Sequence, residues 1–210
     1  MSFINLHYKL FYNTEVNMSR ITLLISLSIF LIITVFAFLQ TAKAEEIHFN
    51  NDIFILKYST LSNINRGYEN EYFLKNENKS NWTKMIGIYY YPEVSNPLKF
   101  ADKESKSIES NEINVLLKYI ENKKADKAAL SYLQNGSSNG KNFFEYNIFK
   151  YEKHPDKGMM ALRYAIRYFF NNNDEITTLA GKVKAENDEY LQKIIESPIP
   201  PVIEKDINEN

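Results

Sequence analysis

The sequence predicts an α+β domain: a largely antiparallel sheet of about six strands, helices on one face, and a long amphipathic helix at the C-terminal end. Three observations carry that prediction. Segments of period-two alternation fall into two groups of three, separated by sequence with helical spacing. Aromatic residues are abundant, with 15 Tyr and 14 Phe against a single Trp, and aromatic side chains favour pleated, half-buried surfaces. The last periodic segment, Glu175–Ile195, repeats its apolar residues at helical spacing instead of alternating them.

Before the domain stands the apolar run Ile21–Leu39, 19 residues without a charge. As a helix it would cover about 28 Å, close to the thickness of the hydrocarbon layer. Arg20 precedes the run and Thr41-Ala42-Lys43-Ala44 follows it, which is the order of an export signal with an A-x-A site and cleavage after Ala44. The alternative is an uncleaved single-span anchor, since the run is longer than the usual signal core of about 7–15 residues. Met18 lies two residues before Arg20, so residues 1–17 are expected to be an upstream extension and Met18 the biological start, with Met1 the alternative. Residues 18–44 are then signal peptide or anchor, 45–197 a single domain, and 198–210 a disordered tail.

Within the domain, Glu45–Asn51 is polar and reads as a frayed lead-in, followed by a short strand at Ile53–Leu56. Tyr68–Leu74 alternates and suits a strand with one wetter face. Trp82–Tyr91 is apolar on both sides, with Ile86, Ile88 and Tyr90 on the side of Trp82 and Met85, Tyr89 and Tyr91 on the other, which suggests a central position ended by Pro92. Asn96–Asn122 is expected to be helical with a break near Ser105–Ser110: Pro97 suits a first turn, and Val115, Leu116, Tyr119 and Ile120 share a stripe that Ser110 would cap. Lys127–Gln134 is assigned to a strand by its neighbours, the Asn135–Gly140 loop and the strand Asn142–Glu152. Pro155-Asp156-Lys157-Gly158 is a turn, and Met160–Phe170 is the longest clean alternation. Asn171–Asp174 supplies a cap for the last helix, which Ser197-Pro198-Ile199-Pro200-Pro201 ends.

About 165 residues beyond the leader suit one domain with an adequate core. Lys+Arg 25 against Asp+Glu 26 leaves a net charge of −1, which provides no basic footprint for nucleic acid. The absence of Cys removes disulfides, thiolate nucleophiles and Cys-based zinc sites. The only partners expected are a protein or small ligand, and the membrane through residues 21–39 if the leader is retained. No cofactor is expected.

No residue carries a catalytic, cofactor or metal pattern. His48 lies in the lead-in and His154 at a turn, where an exposed turn residue explains it best. Gly136 and Gly140 lack the ending of a phosphate loop. Arg163 and Arg167 are four apart on one strand, hence on one face about 13 Å apart at their origins; they offer a basic surface for an anion, or pair with a carboxylate such as Glu145 on the neighbouring strand. Trp82, Tyr89 and Tyr91 could stack on a ligand or fill the core. The candidate surface contacts are therefore Arg163, Arg167, Trp82, Tyr89 and Tyr91.

The segment Glu71-Tyr72-Phe73-Leu74, followed by Asn81-Trp82-Thr83-Lys84-Met85-Ile86, resembles a pattern in small uncharacterised exported bacterial proteins, in which an E-Y-x-L strand precedes N-W-T-x-M/L-I/V. Asn76-Glu77-Asn78 stands where that pattern has a glycine. The resemblance implies an exported α+β domain and carries no activity. The leading expectation is a periplasmic or secreted, non-enzymatic domain that binds a ligand or protein. One alternative is the same domain anchored in the inner membrane by a single span. A second is a hydrolase of envelope polymers using Glu71 or Glu145 as acid or base.

Overall fold

A computed structural model describes residues 45–61, 67–138 and 140–208. The leader, its cleavage site and the upstream extension lie outside these residues. Among the described residues, no helix is long and apolar enough to cross a membrane.

The α+β class and the large antiparallel sheet hold, but nine strands are found among the described residues instead of six. They are β1 (Glu46–Phe49), β2 (Asp52–Leu61), β3 (Tyr68–Leu74), β4 (Lys84–Tyr91), β5 (Asn114–Asn122), β6 (Lys127–Ser138), β7 (Lys141–Lys153), β8 (Met159–Phe170) and β9 (Ile207–Asn208). Two helices accompany them, α1 (Pro97–Glu109) between β4 and β5, and α2 (Asn173–Glu196) after β8. The spatial order β1-β2-β3-β4-β8-β7-β6-β5 joins two meanders through the antiparallel pair β4 and β8. β4 is therefore central, as its two apolar faces suggest.

The helices lie on opposite faces, which corrects the expectation of one covered face. Val183, Leu191 and Ile194 of α2 pack with Leu56, Tyr72, Ile86, Ile148 and Tyr164. Ala101 and Ile108 of α1 pack with Tyr89, Leu130, Tyr151, Met159 and Ala161, which point to the other side of the same strands. Both sides of the central strands are apolar, so each needs a cover. Burying the three α2 side chains contributes roughly 5–9 kcal/mol as an upper bound. The Asn96 side chain caps α1 by accepting from the Lys99 N–H at 2.9 Å, and Asn172 caps α2 by accepting from Glu175 at 2.9 Å.

Four further expectations are corrected. Ile113–Ile120 is not helical but forms edge strand β5, and Ser110 closes the C-terminal end of α1 instead of opening a second helix. A bulge between Leu116 and Lys118 places Leu116 and Tyr119 on the α1 side, three residues apart, which imitates helical spacing. The polar lead-in is β1, folded against β2 by a two-residue turn in which Asn50 and Asn51 have φ of 50° and 66°. Such turns require positive φ at both central positions, which asparagine tolerates.

The tail after Ser197 is ordered to Asn208. Buried Asn70 accepts from the Ile203 N–H at 2.6 Å and donates to the Ile203 carbonyl at 3.0 Å, and β9 pairs with Tyr58 and Ser59 of β2. Finally, Trp82 packs with Phe73, Met85 and Ala165, not on the Ile86 side. The strand begins only at Lys84, because the Glu77 carboxylate holds the N–H of Thr83 at 2.9 Å and shapes the preceding turn.

Candidate functional site

The turn Pro155–Gly158 sets the β7–β8 register: Lys153 faces Met159, and counting back places Glu145 opposite Arg167 and Phe149 opposite Arg163. Glu145, Arg163 and Arg167 therefore share the face on which Phe149 and Met159 pack with Ala101 and Ile108 of α1. Glu145 is 7% exposed. One of its oxygens accepts from Arg163 Nη2, and the other accepts from Arg167 Nε at 3.0 Å. The two arginines predicted to share a face are thus bridged by the carboxylate expected as their structural partner.

The two guanidinium groups are not equivalent. Arg163 also donates from Nε to Asn147 Oδ1 at 2.9 Å and points Nη1 at the Tyr89 hydroxyl at 3.5 Å. Burial works against its charge, but Tyr89, Glu145 and Tyr132 outweigh burial and raise its pKa further above the ordinary arginine value. Arg167 lies 3.7 Å from the Trp82 ring centre and 4.6 Å from that of Phe143. Among the described residues its terminal nitrogens Nη1 and Nη2 have no hydrogen-bond partner, so four of its five N–H groups are unbonded there.

Two glycines make this layout possible. A Cβ on Gly87 would come within 2.6 Å of the Tyr89 ring, and one on Gly136 within 2.8 Å of the Phe143 ring. Both rings therefore reach over glycine backbone, Tyr89 toward Arg163 and Phe143 toward Arg167. Burial pushes the Tyr89 hydroxyl up to about 12, with Arg163 pulling it down and Glu71 adding to the rise.

Four of the five candidates, Arg163, Arg167, Trp82 and Tyr89, thus belong to one constellation. Tyr91 does not. It packs at a tilt against Phe100 of α1 at 5.4 Å and stacks on Tyr89 at 6.5 Å, in the aromatic seam beneath the helix. Sequence reasoning missed Asn147, Phe143 and the two glycines. A glycine within a strand, beside an aromatic residue two positions on or directly across, was the available signal.

A family model matches residues 42–199. The chain belongs to that family. The matched span includes every strand from β1 to β8, both helices and all the residues of the arginine cluster. No curated protein and no solved structure matches.

The remaining polar candidates are structural in their contacts. His154 Nδ1 accepts from the Asp156 N–H at 3.2 Å, and its ring packs on Tyr90 at 4.8 Å. His48 lies 2.5 Å from Glu46 at an exposed position. Among the described residues no group of three or more His, Asp or Glu side chains is placed to hold a metal ion. A groove of about 790 Å³ between β5 and α2 contains one carboxylate, Asp188, which pairs with Lys118 at 2.7 Å. A depression of about 560 Å³ beside Phe169 contains Asp174 and Glu175, the acids of the first turn of α2.

Proposed function

We propose that this chain is an exported, periplasmic or secreted, non-enzymatic binding domain that presents the sheet face around Arg167 to a small ligand or a protein. The asymmetry of the arginine pair carries the binding half of this reading. Arg163 is bonded through all three nitrogens by Asn147, Tyr89 and Glu145, whereas among the described residues Arg167 keeps its fork unbonded between two aromatic rings. A guanidinium held in this way is suited to receive an anion.

The export half rests on the leader, Arg20 followed by the run 21–39 and Ala42-Lys43-Ala44, and on the resemblance of the Glu71–Ile86 segment to exported proteins. An uncleaved leader would give the same domain on an inner-membrane span, and extraction of membranes with carbonate separates the two outcomes. The hydrolase reading gains no support, since both Glu145 oxygens are held by guanidinium groups and Glu71 lies 3.5 Å from Lys79.

Cell fractionation of the expressed full chain tests the address: recovery beyond the inner membrane with Glu45 first supports export, and recovery in the cytosol with the leader intact overturns it. A thermal-shift panel of charged and neutral small compounds, run on the wild type and on Arg167→Gln, tests the surface. At least one compound should stabilise the wild type and lose its effect in the variant. A panel in which no effect depends on Arg167 removes the binding surface from the reading.

A further inference from the structure

We propose that the ligand received at Arg167 is a small monocarboxylate, its two oxygens facing Nη1 and Nη2. This inference rests on the binding surface proposed above and adds the chemical class. Charge is the first argument. Arg163, Arg167 and Glu145 leave one cation in excess, and the arginine side chains are 17% exposed, so the excess charge is partly withdrawn from water and favours a counter-ion.

Neighbouring carboxylates do not fill that role. Glu77 accepts from the Thr83 N–H and hydroxyl, and Glu71 is drawn to Lys79, 3.5 Å away.

Geometry is the second argument. Contact with Trp82 and Phe143 fixes the guanidinium plane, and the Nε bond to Glu145 fixes its rotation. What remains open is the planar two-nitrogen edge, which matches a carboxylate in two parallel hydrogen bonds. One excess charge and one free fork suit a monoanion; a phosphate dianion would need further donors. Phe169, 39% exposed and 5.6 Å from Phe143, gives the site an apolar flank for the body of the ligand.

Trp82 is the sole tryptophan and touches Arg167, so its emission reports the site directly. The chain recovered from cells expressing the full sequence is titrated with N-acetylglycine, N-acetylglycinamide and inorganic phosphate. N-acetylglycine should change the Trp82 emission saturably, with half-saturation on the order of millimolar, as expected for one two-point ion pair. The amide should be silent. Arg167→Lys, which keeps the charge and loses the fork, should weaken the response about tenfold, and Arg167→Gln should abolish it.

An equal response to the amide, a stronger response to phosphate, or an unchanged response in Arg167→Gln overturns the assignment. The acid-versus-amide comparison needs no variant and so does not depend on how variants fold. If N-acetylglycine is silent while another compound in the panel still acts through Arg167, the carboxylate assignment falls and the binding surface stands.

Discussion

Glu145→Gln tests whether the arginine cluster is organised by its one carboxylate. Glutamine keeps the size but offers one acceptor oxygen, and turns an NH2 group toward a guanidinium. The wild-type side chain accepts from Arg163 Nη2 and from Arg167 Nε, and hydrogen bonds to charged groups contribute about 1.5–3 kcal/mol each. Removing one partner of a buried pair costs about 3–5 kcal/mol. Because the arginines retain some contact with water, the lower end applies, and about 3 kcal/mol is expected. With a urea slope of about 2 kcal/mol/M, the unfolding midpoint should fall by roughly 1.5 M at unchanged slope. Circular dichroism follows the unfolding, and Trp82 emission reports the loosened Arg167 independently. A midpoint shift below about 0.5 M, equivalent to less than 1 kcal/mol at that slope, would show that water solvates both guanidinium groups and that the cluster is not a coupled unit.

Three other outcomes are expected. Asn70→Ala removes three hydrogen bonds, to Ser59 and to both backbone groups of Ile203; it should destabilise the chain by about 3 kcal/mol and deprotect residues 199–208 in hydrogen exchange, and unchanged protection there would refute the clamp. Gly87→Ala drives a methyl group into the Tyr89 ring and should cost about 1–3 kcal/mol, with the Tyr89 hydroxyl titrating closer to its ordinary value to the extent that displacement relieves its burial, the main cause of the rise. Burial pushes the hydroxyls of Tyr89 and Tyr168 up to about 12 from an ordinary 10. Between those values the folded chain binds more protons than the unfolded one, so stability should be complete below about pH 10 and fall as pH rises toward 12; a flat denaturation midpoint across that window would contradict the burial.

The strands that were legible are those in which alternation runs unbroken between turn signals. Tyr68–Leu74 has the bounds of β3, and Pro155–Gly158 marks the turn that fixes the β7–β8 register. That register made the Glu145 pairing readable before any geometry was known, because a one-residue slip would move every side chain to the other face. β5 was hidden by its bulge, which places Leu117 and Lys118 together toward α2 and breaks period two. β1 was hidden because Asn50-Asn51 reads as polar loop, although two residues at positive φ are what a tight hairpin needs. The ordered tail depends on Asn70, a polar residue that alternation places on the same side of β3 as Tyr68, Tyr72 and Leu74. It is fully buried because its amide matches a backbone N–H and C=O arriving from residue 203.

The unequal roles of the two arginines follow from where α1 ends its coverage. A helix lying over β5, β6 and β7 covers the Leu130–Ala161 part of its face with apolar side chains. Farther along, among the described residues, that face is closed by the strands' own side chains: rings lying over glycines, and guanidinium groups lying over rings. Arginine suits such a place because its stem covers apolar surface while its head stays near water. The guanidinium nearer α1 is bonded through all three of its nitrogens, by Asn147, Tyr89 and Glu145. The one farther out lies between Trp82 and Phe143 and, among the described residues, its guanidinium is bonded by Glu145 alone, so an unfilled bonding edge arises at the boundary between helix-covered and self-covered sheet.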